Sequence, residues 1–377
     1  MSLSALNNII YLDHNATMPM LPSVKSKMDE YALLPLNASS IHAFGRNAKS
    51  LIEAARRQLA TLVGIADYFR DFQITFTSGA TEANAIILAN YKEGEIFISA
   101  TEHPSVWAHS GFDSNYTIIN VDNNGILDLN DLEQKLNNSK SSKKLVSVML
   151  ANNETGVISR LQQIAIIAHK HGAEIHSDCA QGIGKMPVDI IALDLDYASV
   201  SGHKFGGPVG VGALISKAKC LFRPIFLGGG QERGMRSGTE NVLAIAGMGQ
   251  AALIALQELD ARSENMKNLQ SALESKLMKE FEDIKIAGIK SDRLPNTSLI
   301  INPRVKAQIM LIALDLKGIT VSSGAACSSG RVGKSHVLSA MGYSDNDVES
   351  AIRISVGYNT SAQDIDNFLG IYSELNK

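Results

Sequence analysis

Residues 74–90 read ITFTSGATEANAIILAN, and the way that run divides decides the fold. Its β-branched start reads as a strand, Ser78-Gly79-Ala80 as a turn of small residues, and the part from about Thr81 as a helix. The alternation continues outward: EIFISA, YTIINV, KLVSVML, EIHSDC, YASVSG and VGALIS carry it from Glu95 to Ser216. Runs apolar on both faces and separated by helical patterns predict a mainly parallel central sheet covered by helices, the α/β class.

The chain has 377 residues, which suggests a large domain and a smaller α+β one. In NMKNLQSALESKLMKEF, Met266, Leu269, Leu273, Leu277 and Phe281 form one helical stripe, taken as the bridge into the smaller unit. We place the large domain at 15–258 and the small one at 1–14 with 259–377. A net charge of -3 supplies no basic excess for direct nucleic-acid binding. The apolar run NVLAIAGMGQAALIAL is shorter than the roughly 18 residues of a membrane span and reads as a buried helix. No membrane partner is expected, and the N-terminus lacks a secretory pattern. Three cysteines, Cys179, Cys220 and Cys327, without a CxxC pair, fit a reducing, cytoplasmic setting.

GRVGKS, at 330–335, resembles a phosphate-binding loop, but Ser328 stands where the first glycine of that motif is needed. The turn at 78–81 is a better anion site, because it offers backbone amides, a hydroxyl and a helix N-terminus. A helix capped by Ser78 or Thr81 would read the same way. Further on, IHSDCAQ ends a strand at Asp178, and SVSGHKFGG ends another at His203 and Lys204. Ligands of α/β sheets bind at the carboxyl ends of the strands, where this acid and this lysine would meet. Pyridoxal 5'-phosphate needs such a set: a lysine for a Schiff base, an acid for its ring nitrogen and an anion site. An ordinary Asp178 to Lys204 ion pair is the alternative. His169, His171 and His176 give no metal pattern, since positions two apart on a helix diverge.

Taken together, YLDHNAT, SSIHAFGRNA, FTSGATEAN, TEHPSV, NNETG, SDCAQGIGK, SGHKFGGPVGVGAL, GGGQERGMRSGTEN, PNTS, SSGAACSSG and RISVGYNT run in one order from residue 11 to 360. In these motifs the chain resembles the cysteine desulfurases, the NifS/IscS-like branch of the class V aminotransferase group. The resemblance implies a fold-type I pyridoxal-phosphate enzyme, a homodimer, acting on L-cysteine. It implies Lys204 as the Schiff-base lysine, Asp178 at the pyridine nitrogen, His103 stacked on the ring, and Gln181 and Asn153 on its phenolic-oxygen side. Ala80, Thr81, Ser201 and His203 would bind phosphate, with Thr239 from the other subunit. Arg353, with Asn153, would hold the substrate, and Cys327 would be the nucleophile that takes up sulfur as a persulfide. The sulfur would pass to a protein acceptor such as an iron-sulfur scaffold or a tRNA-thiolation protein.

A free thiol near pKa 8.5 is only a few per cent thiolate at neutral pH, so Cys327 needs activation, for which His103 or the substrate amine are candidates. Cys179 and Cys220 are expected to be structural. The chain departs from the family at Gly333-Lys334, where relatives commonly have Glu-Pro before Ser-His, and at NASS and Cys179. It ends at Lys377 without the longer tail of some scaffold-docking members, which argues against docking of that kind. Competing functions are selenocysteine lysis, another class V transamination, or a weakened paralogue acting as a binding subunit.

Overall fold

The computed structural model describes residues 9–220, 222–324 and 334–376. After the short strand β1 (Ile10–Tyr11), the seven runs read from the sequence become β2 (Phe72–Thr77), β3 (Glu95–Ser99), β4 (Tyr116–Ile119), β5 (Lys144–Ser147), β6 (Ala173–Asp178), β7 (Tyr197–Ser201) and β8 (Gly212–Lys217). They form one sheet in the order β2-β8-β7-β6-β5-β3-β4. Only β8 runs against its neighbours. Residues 202–211 are too few for the crossover a parallel return requires, so β7 turns straight back into β8.

Neighbouring side chains on these strands face opposite layers. Ile96, Ile98, Leu145, Tyr197 and Leu214 pack with the helix Ala80–Asn90. Phe97, Val146, Ala198, Ala213 and Ile215 pack on the other side, with the helices Ala43–Leu62 and Val242–Gln257. The latter two lie so close that a Cβ on Gly249 would sit 2.6 Å from the Ala55 Cα. The apolar run at 241–256 is thus a core helix. Among the described residues no single helix is long and apolar enough to cross a membrane.

A second core surrounds the helix Leu259–Glu280, with Met266, Leu269, Leu273 and Leu277 buried as the stripe predicted. Beside it lie β9 (Lys285–Ile286), β10 (Thr297–Ile301), β11 (Ile319–Thr320), β12 (Ser322–Ser323) and β13 (Ala351–Ser355). The antiparallel order is β12-β13-β10-β9, while β11 pairs with β1. The start of the chain is therefore stitched to its last quarter, and His14 Nδ1 lies 3.0 Å from the Ser355 carbonyl.

The glycine-rich segment 228–238 is fastened by a buried ion pair. Arg56 donates to both carboxylate oxygens of Glu232 at 3.0 and 3.1 Å, and the Phe76 N–H donates to the same group at 2.9 Å. Glu232 and Arg233 hold positive φ values of 48° and 59°, a conformation that non-glycine residues adopt only where surroundings enforce it. Removing Glu232 takes the bidentate partner from the buried Arg56 charge and leaves it only Glu53, at 3.2 Å from its Nε, as a carboxylate partner. Glu232→Ala should cost about 3–5 kcal/mol in urea unfolding, and an unchanged midpoint would refute this account.

Candidate active site

The carboxyl ends of β2, β3, β5, β6 and β7 open on one cleft of about 440 Å³. It is lined by Ala80, Thr81, His103, Asn153, Asp178, Gln181, Ser201, His203 and Lys204, which are nine of the residues singled out from the sequence. Thr239 lies outside it, in a separate hollow that shares Ser78 and Gly210 with the cleft. Arg353 is not in the lining either. It sits one layer behind, donating to the Asn153 carbonyl at 2.9 Å and to Asp13 at 2.5 Å. Cys327 lies outside the described residues.

The turn at 78–81 resolves one of the sequence alternatives. Gly79 is the N-cap of the helix Ala80–Asn90, and no side chain caps it. Neither Ser78 nor Thr81 serves the capping role, so no side chain caps the first amides of the helix at the cleft, while Glu82 in the first turn is engaged by the Ser78 N–H and by Arg236. Gly212 allows this approach, because a Cβ there would lie 2.6 Å from the Gly79 Cα. With the hydroxyls of Thr81 and Ser201 and the ring of His203, the set suits a phosphate dianion.

Asp178 accepts from Asn84 Nδ2 at 2.8 Å and from the Ala180 N–H at 3.0 Å, which fixes its carboxylate at the strand end. Lys204 donates to the carbonyls of Asn15 and Ala16, at 2.5 and 2.9 Å. His103 accepts at Nδ1 from the Ser105 N–H at 3.1 Å, so the neutral ring carries its proton on Nε2. Burial lowers its pKa, with Lys204 and His336 adding to the effect and Asp178 opposing it. The neutral ring therefore offers an N–H at Nε2, and taking a proton from Cys327 there requires the Ser105 contact to be given up. Anion cradle, acid, lysine and planar ring fit pyridoxal phosphate.

Several residues of the site were not anticipated. Asn15 is its hub: its carbonyl accepts from Gln181 and Lys204, its Oδ1 from Lys185 and Asn296, and its Nδ2 donates to Thr297 and the Asn153 carbonyl. Lys185 is fully buried and held by Asn15 and Gln181, and desolvation lowers its pKa far below the usual lysine range. Glu102, beside His103, is pushed well above the usual carboxylate range by burial. Glu154 is raised to about 7 by burial, against the pull of Ser335 and Arg353. All four stand inside family-like motifs. A charged residue flanked by apolar or glycine neighbours, as in GIGK, was the signal available.

The remaining histidines and cysteines take structural places. His169 contacts Asp194 and Asp196, His171 reaches Glu133, and His176 lies between Ser147 and Ser199. His42 caps the helix Ala43–Leu62 by accepting from the Gly45 N–H. Cys179 and Cys220 are buried thiols pushed up to about 12, which keeps them unreactive.

Burial drives the pKa of both His176 and His203 down to about 4, from 6.5. The unfolded chain then binds more protons than the folded one between those values, so stability should fall as pH drops from 6.5 to about 4. Glu154 acts in the opposite sense, losing stability as pH rises towards 7. Urea midpoints of the native protein and of His176→Gln across this range check it. A variant whose acid sensitivity matches the native protein would exclude His176 as a cause.

The family description Aminotransferase class-V matches residues 10–368. A cysteine desulfurase of Gluconacetobacter diazotrophicus is 36% identical over 380 residues, covering 97% of this chain and 92% of that protein. One from Sinorhizobium fredii is 39% identical over 374 residues, covering 96% and 95%. The solved structure of a NifS-like protein from Rickettsia africae is 44% identical, with a TM-score of 0.93 over 98% of this chain and 99% of that one.

Proposed function

The chain belongs to the class V aminotransferase family, within the pyridoxal-phosphate-dependent cysteine desulfurases, and from that premise we propose how its own residues divide the reaction. The carrying observation is the convergence of Lys204, Asp178, His103 and the uncapped helix start on one cleft. Pyridoxal phosphate, when bound, supplies the electron sink for the pair left when the substrate Cα loses its proton.

The start of the helix Ala80–Asn90, with Thr81, Ser201 and His203, would hold the phosphate, and Thr239 would reach the cleft of a partner subunit. Of the cleft residues, Asp178 would keep a proton on the ring nitrogen, Gln181 and Asn153 would hold the phenolic-oxygen side, and His103 would lie along the ring. Lys204 would hold the group covalently through Nζ, and as a free amine it would be the base for the substrate Cα proton. Arg353 binds the carboxylate of L-cysteine through its fork. Its Nε is buried and has no hydrogen-bond partner among the described residues, so a donor is available for an incoming anion. The Cys327 thiolate attacks the substrate sulfur. An S–S bond forms, the C–S bond breaks, its electron pair stays with the carbon skeleton, and protonation of that carbon releases L-alanine and leaves Cys327 as a persulfide.

A homodimer accords with the surface. Val209, at the cleft wall, is 71% exposed, and Leu33, Ile41 and Leu227 are 97%, 91% and 82% exposed, apolar area that a second copy would cover. The acceptor of the sulfur is a protein, an iron-sulfur scaffold or a tRNA-thiolation protein, and the reaction takes place in the cytoplasm, where thiols stay reduced. Mass spectrometry of the holoenzyme after incubation with L-cysteine tests the reading: one added sulfur on Cys327 is expected. Undiminished alanine formation by Cys327→Ala would refute it.

A further inference from the structure

Two ends of one segment meet a single buried carboxylate. Glu154 follows Asn153 on the loop after β5 and is buried, with 4% of its surface exposed. Its Oε2 accepts from the Ser335 hydroxyl at 2.5 Å. The Ser335 oxygen also accepts from the Leu338 N–H, capping the helix His336–Ala340. On the other side, a Cβ on Gly324 would lie 2.8 Å from the same Oε2, so the Gly324 backbone is packed directly against the carboxylate. Gly324 and Ser335 bracket the segment that carries Cys327. The far end has a further fastening: His336 Nε2 donates to the Glu102 carbonyl at 2.9 Å, and its ring stacks on Trp107 at 4.8 Å. Cys327 follows Gly324 by three positions in the sequence.

We propose that Glu154 is a positioning residue for Cys327: its carboxylate joins both ends of the cysteine segment to the loop that carries Asn153, and so registers the nucleophile against the cleft. The inference rests on Cys327 being the sulfur acceptor. Burial, which holds the Glu154 pKa near 7, gives the neutral acid a large share at physiological pH, so a neutral amide should replace it well. Lys334, at the position where the family pattern changes, instead turns outward to Asp345 at 3.0 Å and takes no part in this junction.

The test uses the holoenzyme and reads kcat and KM for L-cysteine, cofactor absorbance, and the rate at which iodoacetamide alkylates Cys327. Glu154→Ala should lower kcat about 100-fold, the scale of an ångström's misplacement, with KM within about threefold and cofactor absorbance unchanged. The alkylation rate should shift several-fold, roughly in step with the loss of placement. Glu154→Gln should restore kcat to within about threefold of the native protein, since it keeps the volume and an acceptor oxygen. Gly324→Ala should slow the native enzyme about tenfold by displacing the carboxylate, yet add nothing in the Glu154→Ala background, where the space is free. Retained kcat in Glu154→Ala, additive losses in the double variant, or loss of cofactor absorbance together with activity would each overturn the proposal. Should Glu154→Ala fail to fold, Gly324→Ala decides, and an unaltered kcat there overturns it. Activity surviving Cys327→Ala would be a different failure, that of the nucleophile assignment, while the alkylation rate reports the thiol's placement whichever reaction it serves.

Discussion

Lys204→Ala should give a folded protein with no visible absorbance after incubation with pyridoxal phosphate and a desulfuration rate lower by more than about 10³-fold. In the proposed mechanism the lysine has two duties, covalent attachment and proton transfer at Cα, and no neighbour can assume either. Lys185 is close enough in charge to perturb His203, but it is fully buried and spent on Asn15 and Gln181. Folding should survive, because the substitution removes hydrogen bonds to two backbone carbonyls and leaves the core packing in place. Native-like circular dichroism with the absorbance gone is the expected result. A pyridoxal band of undiminished intensity would remove Lys204 from its assigned place.

Arg353→Ala should reduce kcat/KM for L-cysteine by about 100- to 1000-fold, the equivalent of two charge-assisted hydrogen bonds at roughly 1.5–3 kcal/mol each, less partial replacement by water. Most of the effect should appear in KM, as weaker binding of the carboxylate. A secondary loss of stability is also expected, because Asp13 surrenders its guanidinium partner. Titrating the spectral response of the holoenzyme with L-cysteine separates the two effects. Unaltered half-saturation would assign carboxylate binding elsewhere.

Much of the large sheet could be read directly from β-branched runs, since a strand buried on both faces has to be apolar throughout. The reversal of β8 was legible only indirectly, in the shortness of 202–211. Strands of two residues, such as β9, β11 and β12, leave no periodic trace, and their pairing is decided by partners distant in sequence. The site divides in the same way. Lys204, Asp178 and His103 stand at strand ends, where sequence order already places them together. Asn15 and Glu154 act through contacts 138 to 340 positions away, visible only once the chain is folded. Thr239 shows the opposite limit, for a single chain does not bring it to its own cleft.

The stitch between early and late parts of the chain has a consequence for biosynthesis. Asn15 N–H donates to the Ser355 hydroxyl and Asp13 meets Arg353, so the wall behind the cleft is closed by residues synthesised more than 300 positions apart. A ribosome-bound chain can complete its seven-stranded sheet and present Lys204 long before Arg353 leaves the exit tunnel. On the proposed assignment, the lysine for the coenzyme is then in place before the guanidinium for the amino acid. The closing of that wall thus awaits the emergence of β13, and the Asp13 carboxylate waits for its Arg353 partner until then.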